Sequence, residues 1–119
     1  MSRRGEFKRA KYFCGLIYRC PPAAELAIAR LQKLVSEIDN RSAVIPFSQT
    51  PYYRAEMGEP LFRQFVSFRQ LLGPERLVGI KIAAMQLEAE LAEAGKRTVN
   101  LDPGYLSEAN VIIATAKNH

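Results

Sequence analysis

The chain has 119 residues, of which 48% are hydrophobic and 24% are charged, with seven glycines and seven prolines. This length and composition predict one globular domain and exclude a fibrous or wholly disordered chain. No apolar run approaches the roughly 18 residues that a membrane-spanning helix needs, so we expect no membrane segment.

The net charge of +5 is concentrated at the N-terminus. Residues 1–20 contain six basic residues and one acidic residue, whereas the other 99 residues contain eleven of each. We therefore divide the chain into a basic arm, residues 1–10, and a single α+β domain, residues 11–119. The arm indicates contact with phosphates or an acidic partner, or else a solvated terminus that keeps the domain soluble.

A secretory signal is the first interpretation to test for a basic segment followed by an apolar one. Residues 12–18 are at the lower limit of length for the apolar part of such a signal. Arg19 and the prolines Pro21 and Pro22 then interrupt the run before any cleavage-like small residues. We therefore expect a cytoplasmic protein.

The cysteine and histidine content argues against disulfides and metals. Cys14 and Cys20 lie six residues apart on one extended segment, which cannot close a disulfide without folding sharply. His119 is the single histidine, so no zinc-binding set is expected. We therefore predict packed thiols and no metal. The chain also has no glycine-rich phosphate loop, so we predict no cofactor.

The first half of the chain changes its hydrophobic period from strand to helix and back. Residues 12–18 are short, apolar and aromatic, which predicts a buried strand. Residues 23–38 have the period of an amphipathic helix, with Pro22 suited to its first turn. Residues 43–47 predict a second strand, in which Pro46 favours an edge position.

The second half begins with a structured loop, residues 48–60, that is expected to contain one helical turn from Pro51 to Met57. A strand is predicted in the middle of residues 61–72, where apolar residues alternate. Gly73-Pro74-Glu75 then starts a helix, and Gly95 is expected to cap its end. Its apolar residues step by three and four, at Leu77, Ile80, Ala84, Leu87 and Leu91.

The last part of the chain consists of residues 98–102, a type II turn at Pro103-Gly104 and a β-branched run at residues 111–113. The order strand, helix, strand, strand, helix, strand predicts a ferredoxin-like (βαββαβ) α+β fold: an antiparallel sheet with two helices on one face. The predicted core consists of Leu31, Val35, Val66, Phe68, Ile80, Ala84 and Leu87.

Four segments resemble, in order and spacing, the bacterial family called domain of unknown function 4416: FCGLIY, PYYRAEMG, SFRQLLGPERLVGIK and VNLDPGYL. The resemblance covers roughly residues 11–118 and implies no reaction. Family members often carry acids near Ser48 and Pro51 and a Thr-Asn pair near Ala84-Met85, which this chain lacks. They also usually continue past the equivalent of Lys117 into a β-rich segment, so we expect a fragment or a reduced member.

Two motif-bearing loops concentrate polar and aromatic side chains, which predicts a ligand pocket between them. The candidates are Tyr52, Tyr53, Glu56, Arg69, Asn100, Asp102 and Tyr105. The carboxylates could act as acid or base, and an arginine could bind an anion. Alternatively, Asp102 holds its own turn through backbone hydrogen bonds, and Glu56 forms a salt bridge with Arg54 or Arg69. An enzyme using Glu56 and Asp102 is therefore one hypothesis.

An RNA-binding module is a second hypothesis. Residues 65–68 match the end of the RNA-recognition signature on a third strand, although Phe62 stands where the signature has glycine and Arg63 where it has an aromatic. Strand alternation predicts an aromatic, basic open sheet face that would act together with the arm. The nucleic-acid candidates are Arg3, Arg4, Lys8, Arg9, Phe13, Arg63 and Phe65, with Arg69 on the same face.

The third hypothesis is a small-molecule or partner-binding module that self-associates. Residues 111–115 form an uncharged run of high β propensity, which the ferredoxin-like order places at a sheet edge. Exposed edges pair readily with other chains. We therefore expect a homodimer that forms by edge pairing or by packing of the open sheet face.

Overall fold

A computed structural model describes residues 9–48, 51–107 and 111–114. The protein is α+β, with a six-stranded antiparallel sheet and three α-helices in this part of the chain. The elements in chain order are β1 (Lys11–Tyr18), α1 (Pro21–Leu34), β2 (Ile38–Arg41), β3 (Ile45–Pro46), α2 (Arg54–Met57), β4 (Phe62–Phe68), α3 (Leu77–Leu91), β5 (Val99–Leu106) and β6 (Val111–Ile113).

The sheet is arranged around β1. The strand order is β2–β4–β1–β5–β6, and the short β3 also pairs with β4. In the registers on either side, Gly15 of β1 pairs with Phe65 of β4 and with Asp102 of β5. Ala10, just before β1, is buried and exchanges backbone hydrogen bonds with Leu72. The predicted arm therefore joins the sheet at its last residue.

One face of the sheet, the helix-covered face, packs against α1 and α3. The largest core cluster contains residues of both helices and the alternate residues of β1 that point toward them. Six of the seven predicted core residues are buried, and Val35 is partly buried against the same cluster. The buried apolar residues of the two helices are Ala24, Ala27, Ile28, Leu31, Leu77, Ile80, Ala84 and Leu87.

Among the described residues, the cover on the opposite face, which we call the open face, lies at one end. There the loop that contains α2 packs a second apolar cluster onto Ile17 of β1. Tyr53, Met57 and Leu61 complete that cluster, and Phe47 packs against it. The loop before β4 thus builds a small second core, and no other described segment packs over the far end of the open face.

The first helix is shorter than predicted. It ends at Leu34, and Ile38, expected as its last apolar residue, instead begins β2 and pairs with Phe68. The Gln32 side chain accepts a hydrogen bond of 2.9 Å from the Ile38 backbone N–H, which closes the connection. Since β-branched residues favour strands, pairing with β4 outweighs one more helical turn. The predicted second strand, residues 43–47, corresponds to the short β3, and β2 is a strand that the sequence did not predict.

The predicted turn at Pro103-Gly104 is wrong, because β5 runs through both residues as one straight strand. The carbonyl of Pro103 accepts a hydrogen bond from the backbone N–H of Ala114, so the missing proline donor faces the end of the β5–β6 ladder. A Cβ at Gly104 would collide with the carbonyl oxygen of Ile112 and lie 2.9 Å from Phe13 Cζ. Glycine is therefore required there by close packing.

Two further differences concern the ends of elements. Helix α3 ends at Leu91, and Gly95, with φ of 77°, lies in the turn between Glu93 and Lys96 instead of capping the helix. The position of the fourth strand in the predicted ferredoxin-like order, beside β1, is occupied by β5. Residues 111–113 form an additional strand, β6, beyond it.

Leu87 tests the assignment of the α3 faces, since its side chain is only 2% exposed. We expect Leu87→Ala to lower the free energy of unfolding by about 2–5 kcal/mol, because it opens a cavity in the core. Ile82→Ala on the exposed side of the same helix should change it by less than about 0.5 kcal/mol. Urea unfolding measures both. Similar losses for the two variants would contradict the assignment.

Candidate functional site

The centre of the candidate site is an ion pair between Arg97, which precedes β5, and Glu56 of α2. Arg97 Nε lies 3.1 Å from each oxygen of the Glu56 carboxylate, and Nη2 lies 2.8 Å from Oε1. The Arg97 backbone N–H also donates to Oε2 at 2.7 Å. These hydrogen bonds hold the pKa of Glu56 below its ordinary value of 4.5. The pair ties the α2 loop to the start of β5.

The network continues along the open face of β5. Arg97 Nη1 donates to Asn100 Oδ1 at 2.7 Å, and Asn100 Nδ2 donates to Asp102 Oδ2 at 2.9 Å. Because side chains alternate along a strand, Asn100 and Asp102 share the open face. Asn100 is 4% exposed, so its amide is committed to this chain of hydrogen bonds.

Two charged residues of α3 reach the backbone of β5 at Leu101. Lys81 Nζ donates to the Leu101 carbonyl at 2.8 Å, and Glu88 Oε2 accepts from the Leu101 N–H at 2.6 Å. Lys81 and Glu88 are seven residues apart, about two helical turns, so they share one side of α3. The described residues of β6 pair with residues 104–106, and at Leu101 the side chains of Lys81 and Glu88 take the place of a neighbouring strand as hydrogen-bond partners.

The network is balanced in charge. Lys81 Nζ lies 3.7 Å from Asp102 Oδ1, Arg63 Nη2 lies 3.9 Å from Asp102 Oδ2, and Arg97 Nη1 lies 3.9 Å from Glu88 Oε1. Burial raises the pKa of Glu88. Together with Glu56, which pairs with Arg97, Asp102 and Glu88 make three carboxylates that face three cations. This balance offsets much of the cost of removing the charges from water.

Aromatic side chains enclose the ion pair. The Arg97 guanidinium carbon lies 5.9 Å from the ring centre of Tyr53, and the ring of Tyr52 meets that of Tyr53 edge-on at 4.8 Å. Tyr53 is buried and Tyr52 is 57% exposed. Five of the seven predicted pocket residues therefore lie around Arg97: Tyr52, Tyr53, Glu56, Asn100 and Asp102.

The other two predicted pocket residues, Arg69 and Tyr105, lie elsewhere. Arg69 pairs with Glu37, with Nε 3.3 Å from Oε1 and both side chains exposed. Tyr105 packs on the helix-covered face against Tyr12, with ring centres 5.5 Å apart. A straight β5 places Tyr105, three residues after Asp102, on the opposite face. The prediction placed a turn at Pro103-Gly104, so the alternation of side chains from Asp102 to Tyr105 was not applied.

Sequence reasoning also missed residues that the site depends on. Glu56 pairs with Arg97, not with Arg54 or Arg69, and Asp102 holds no turn of its own. Lys81 and Glu88 flank the apolar stripe of α3, and charges at such positions were the available signal. Arg97 follows the helix in an irregular segment, where no period marks it.

A cleft of about 530 Å³ adjoins the ion pair, where the start of α1, the α2 loop, the end of α3 and residues 92–98 meet. Glu56 and Arg97 line one side of it. The other lining residues are Arg19, Cys20, Pro22, Ala23, Leu26, Met57, Glu90, Leu91, Ala92, Glu93, Lys96 and Thr98.

The open face contains the described nucleic-acid candidates of the sheet. The Arg63 guanidinium lies between two rings, with its carbon 5.2 Å from the centre of Phe47 and 5.0 Å from that of Phe65. A Cβ at Gly15 would lie 2.9 Å from Phe65 Cε1, so glycine lets this ring approach β1 closely. Phe13 packs over Gly104 on the same face.

The predicted arm contributes one described candidate, Arg9, whose Nη1 donates to the Leu71 carbonyl at 3.4 Å. Arg3, Arg4 and Lys8 lie outside the described residues. Within the described ranges, no group of His, Cys, Asp and Glu has the arrangement of a metal site, and no helix is long and apolar enough to cross a bilayer.

The Glu56–Arg97 pair makes a prediction about acid stability. A carboxylate with a lowered pKa contributes stability that is fully present above pH 4.5 and is lost as the pH falls through the folded-state pKa. Glu56→Gln should therefore show a smaller loss of unfolding free energy between about pH 7 and pH 3 than the wild type.

The matched control is Glu59→Gln, which removes an exposed pair with Arg54. Exposed pairs contribute little to stability, so this variant should keep the wild-type acid dependence. Urea unfolding at both pH values measures the difference. An unchanged acid dependence in Glu56→Gln would show that the ion pair does not stabilise the fold.

Comparison with known proteins gives a family but no relative of known activity. No curated protein and no solved structure matches the chain. Residues 8–119 match the family described as Domain of unknown function (DUF4416), which covers nearly the whole sequence. The resemblance seen in the four motifs is thus confirmed, and the chain belongs to this family.

Proposed function

We propose that this domain is a partner-binding module that self-associates through the open face and the β6 edge. The observation that carries the proposal is a band of exposed apolar side chains on that face. Exposed fractions are 40% for Phe65, 44% for Leu106, 62% for Val111 and 53% for Ile113. Monomeric proteins seldom expose a contiguous apolar surface of this kind unless it binds something.

The band is continuous across the sheet. Phe13, Phe65 and Leu106 line one shallow depression of about 380 Å³ on the open face. Val111 pairs with Leu106, and Ile113 pairs with Gly104, so both β6 residues extend the same face beyond the depression. A partner that covers the band would bury aromatic and branched side chains together.

A second copy of the chain is the partner that these features support best. β6 ends the sheet order of the described strands, and its three residues carry no charge. Two identical edges can pair antiparallel about a two-fold axis without charge repulsion. We expect the interface to bury at least about 1,000 Å² in total.

The proposal includes a ferredoxin-like core for the domain. The order β2–β4–β1–β5, with α1 and α3 on one face, supports this assignment, and β6 is then an addition at the edge. The thiols of Cys14 and Cys20 are both free, which favours a reducing, cytoplasmic location in a bacterium. The division into an arm, residues 1–10, and one domain, residues 11–119, is part of the same proposal.

RNA binding is a second candidate, because Phe13, Arg63 and Phe65 share the open face. However, Arg63 lies between two phenylalanine rings and 3.9 Å from Asp102, so its charge is already compensated within the protein. The geometry therefore favours a protein partner over RNA at this face. Catalysis by Glu56 and Asp102 stays a prediction.

The decisive residue for self-association is Ile113. Ile113→Lys places a charge on the exposed band at the β6 edge, so we expect it to weaken a wild-type homodimer by at least about tenfold in dissociation constant. Sedimentation equilibrium at micromolar concentrations measures the change.

Val78→Lys is the matched control, since Val78 is 69% exposed on α3, on the other side of the sheet. This variant should remain dimeric. A monomeric wild type, or a folded Ile113→Lys variant that still dimerises as tightly as the wild type, would overturn the proposal.

A further inference from the structure

We propose that the cleft beside the Glu56–Arg97 pair binds a small organic monoanion with an apolar body, such as a medium-chain carboxylate. This site is separate from the self-association surface on the open face. The cleft is about 530 Å³, a size typical of small-molecule sites. It is also bounded by three separate elements, which gives it depth that a flat surface lacks.

Part of the cleft wall is apolar. Leu26 of α1 is 56% exposed and lines the cleft opposite residues of the α2 loop and the end of α3. Met57 and Leu91 line it as well, together with Pro22 and Ala23. An alkyl or aromatic group in the cleft would remove the exposed surface of Leu26 from water.

Two of the carboxylates that line the cleft are already paired with arginines. When these two ion pairs are set aside, the remaining lining charges are more positive than negative. Glu56 is held by Arg97, and Glu90 is held by Arg30 from outside the cleft. Arg19 and Lys96 form no ion pair with a carboxylate of the described residues, although Lys96 lies near enough to Glu56 to help lower the pKa of that carboxyl.

Arg19 is held in place by a hydrogen bond of 3.2 Å from its Nε to the Met57 carbonyl, which keeps the guanidinium at the cleft. Glu93 is the remaining lining carboxylate. Two cations that have no ion pair within the described part of the protein, against one such carboxylate, favour an anionic head group.

The start of α1 does not offer the backbone donors of a phosphate site. Pro21 and Pro22 have no N–H, and the Ala23 N–H donates to the Cys20 carbonyl at 3.0 Å. Recognition of the head group therefore depends on the side chains of Arg19 and Lys96. Such donors suit a singly charged carboxylate better than a phosphate, which commonly uses several backbone N–H groups.

The chain contains its own reporter of occupancy. Cys20 is half-buried and lines the cleft, whereas Cys14 is fully buried and its burial raises the thiol pKa. Iodoacetamide should therefore alkylate Cys20 in the folded protein and leave Cys14 unmodified. A molecule that occupies the cleft should slow the alkylation of Cys20.

The test compares octanoate, octylamine and octanol, which share one apolar body and differ in head-group charge. We expect octanoate to slow Cys20 alkylation, by roughly tenfold at about ten times its dissociation constant. Octylamine and octanol at the same concentration should protect much less. Equal protection by all three compounds, or protection by none, would overturn the proposal.

Variants locate the binding. Arg19→Ala and Lys96→Ala should each weaken protection by octanoate about two- to fivefold, as expected for an exposed charge pair. Leu26→Glu should abolish it, because the exposed leucine becomes a carboxylate in the cleft. Lys33→Ala, an exposed α1 lysine outside the cleft, is the matched control. A Lys33→Ala effect equal to that of Lys96→Ala would show that only general charge matters.

Discussion

The outer edge of β5 at Leu101 is the constraint around which the polar part of this protein is arranged. The described residues of β6 pair with residues 104–106, and a buried backbone N–H and carbonyl without partners at Leu101 would be costly. Glu88 and Lys81 of α3 satisfy both groups. A helix that must place two charged side chains on one residue of a strand has little freedom to slide or rotate. The position of α3 on the sheet follows from that requirement.

Burying these charges then requires compensating charges around them. Lys81 lies beside Asp102, and Glu88 lies beside Arg97, which in turn holds Glu56. A buried ion pair adds little stability by itself, but removal of one partner leaves an uncompensated charge. The network therefore acts as a set of mutual constraints that joins α2, α3, β4 and β5. The loop that contains α2 is consequently fixed relative to the end of α3, and the cleft between them has a defined wall.

The sequence correctly predicted which face of a helix or strand is buried where that element packs against one hydrophobic core. The apolar stripe of α3 and the alternation in β4 predicted their buried faces, because each packs against one hydrophobic core. The predicted secondary structure was wrong where pairing with a distant strand outweighed the local hydrophobic period or turn propensity. Ile38 continued a helical period yet joined β2, and Pro103-Gly104, a typical turn pair, lies inside a straight strand. In both places a long-range partner decides the structure, and a local pattern contains no information about it.

The same limit applies to the candidate site. Motif composition brought together Tyr53, Glu56, Asn100 and Asp102, because these residues lie in two loops or strands that meet. Arg97, their common partner, has no local signature, and only the path from α3 to β5 places it between them.

This arrangement also explains why the two proposed binding surfaces have different chemistry. The charged network contains as many cations as carboxylates. On the open face, Arg63 is covered by aromatic rings and compensated by Asp102, which leaves an apolar band suited to a second sheet. At the cleft, Glu56 and Arg97 are paired with each other, which leaves Arg19 and Lys96 against Glu93 among the charges of the described wall. Neutralisation within the network therefore determines which charges remain for binding: none at the centre of the open face and a positive excess at the cleft.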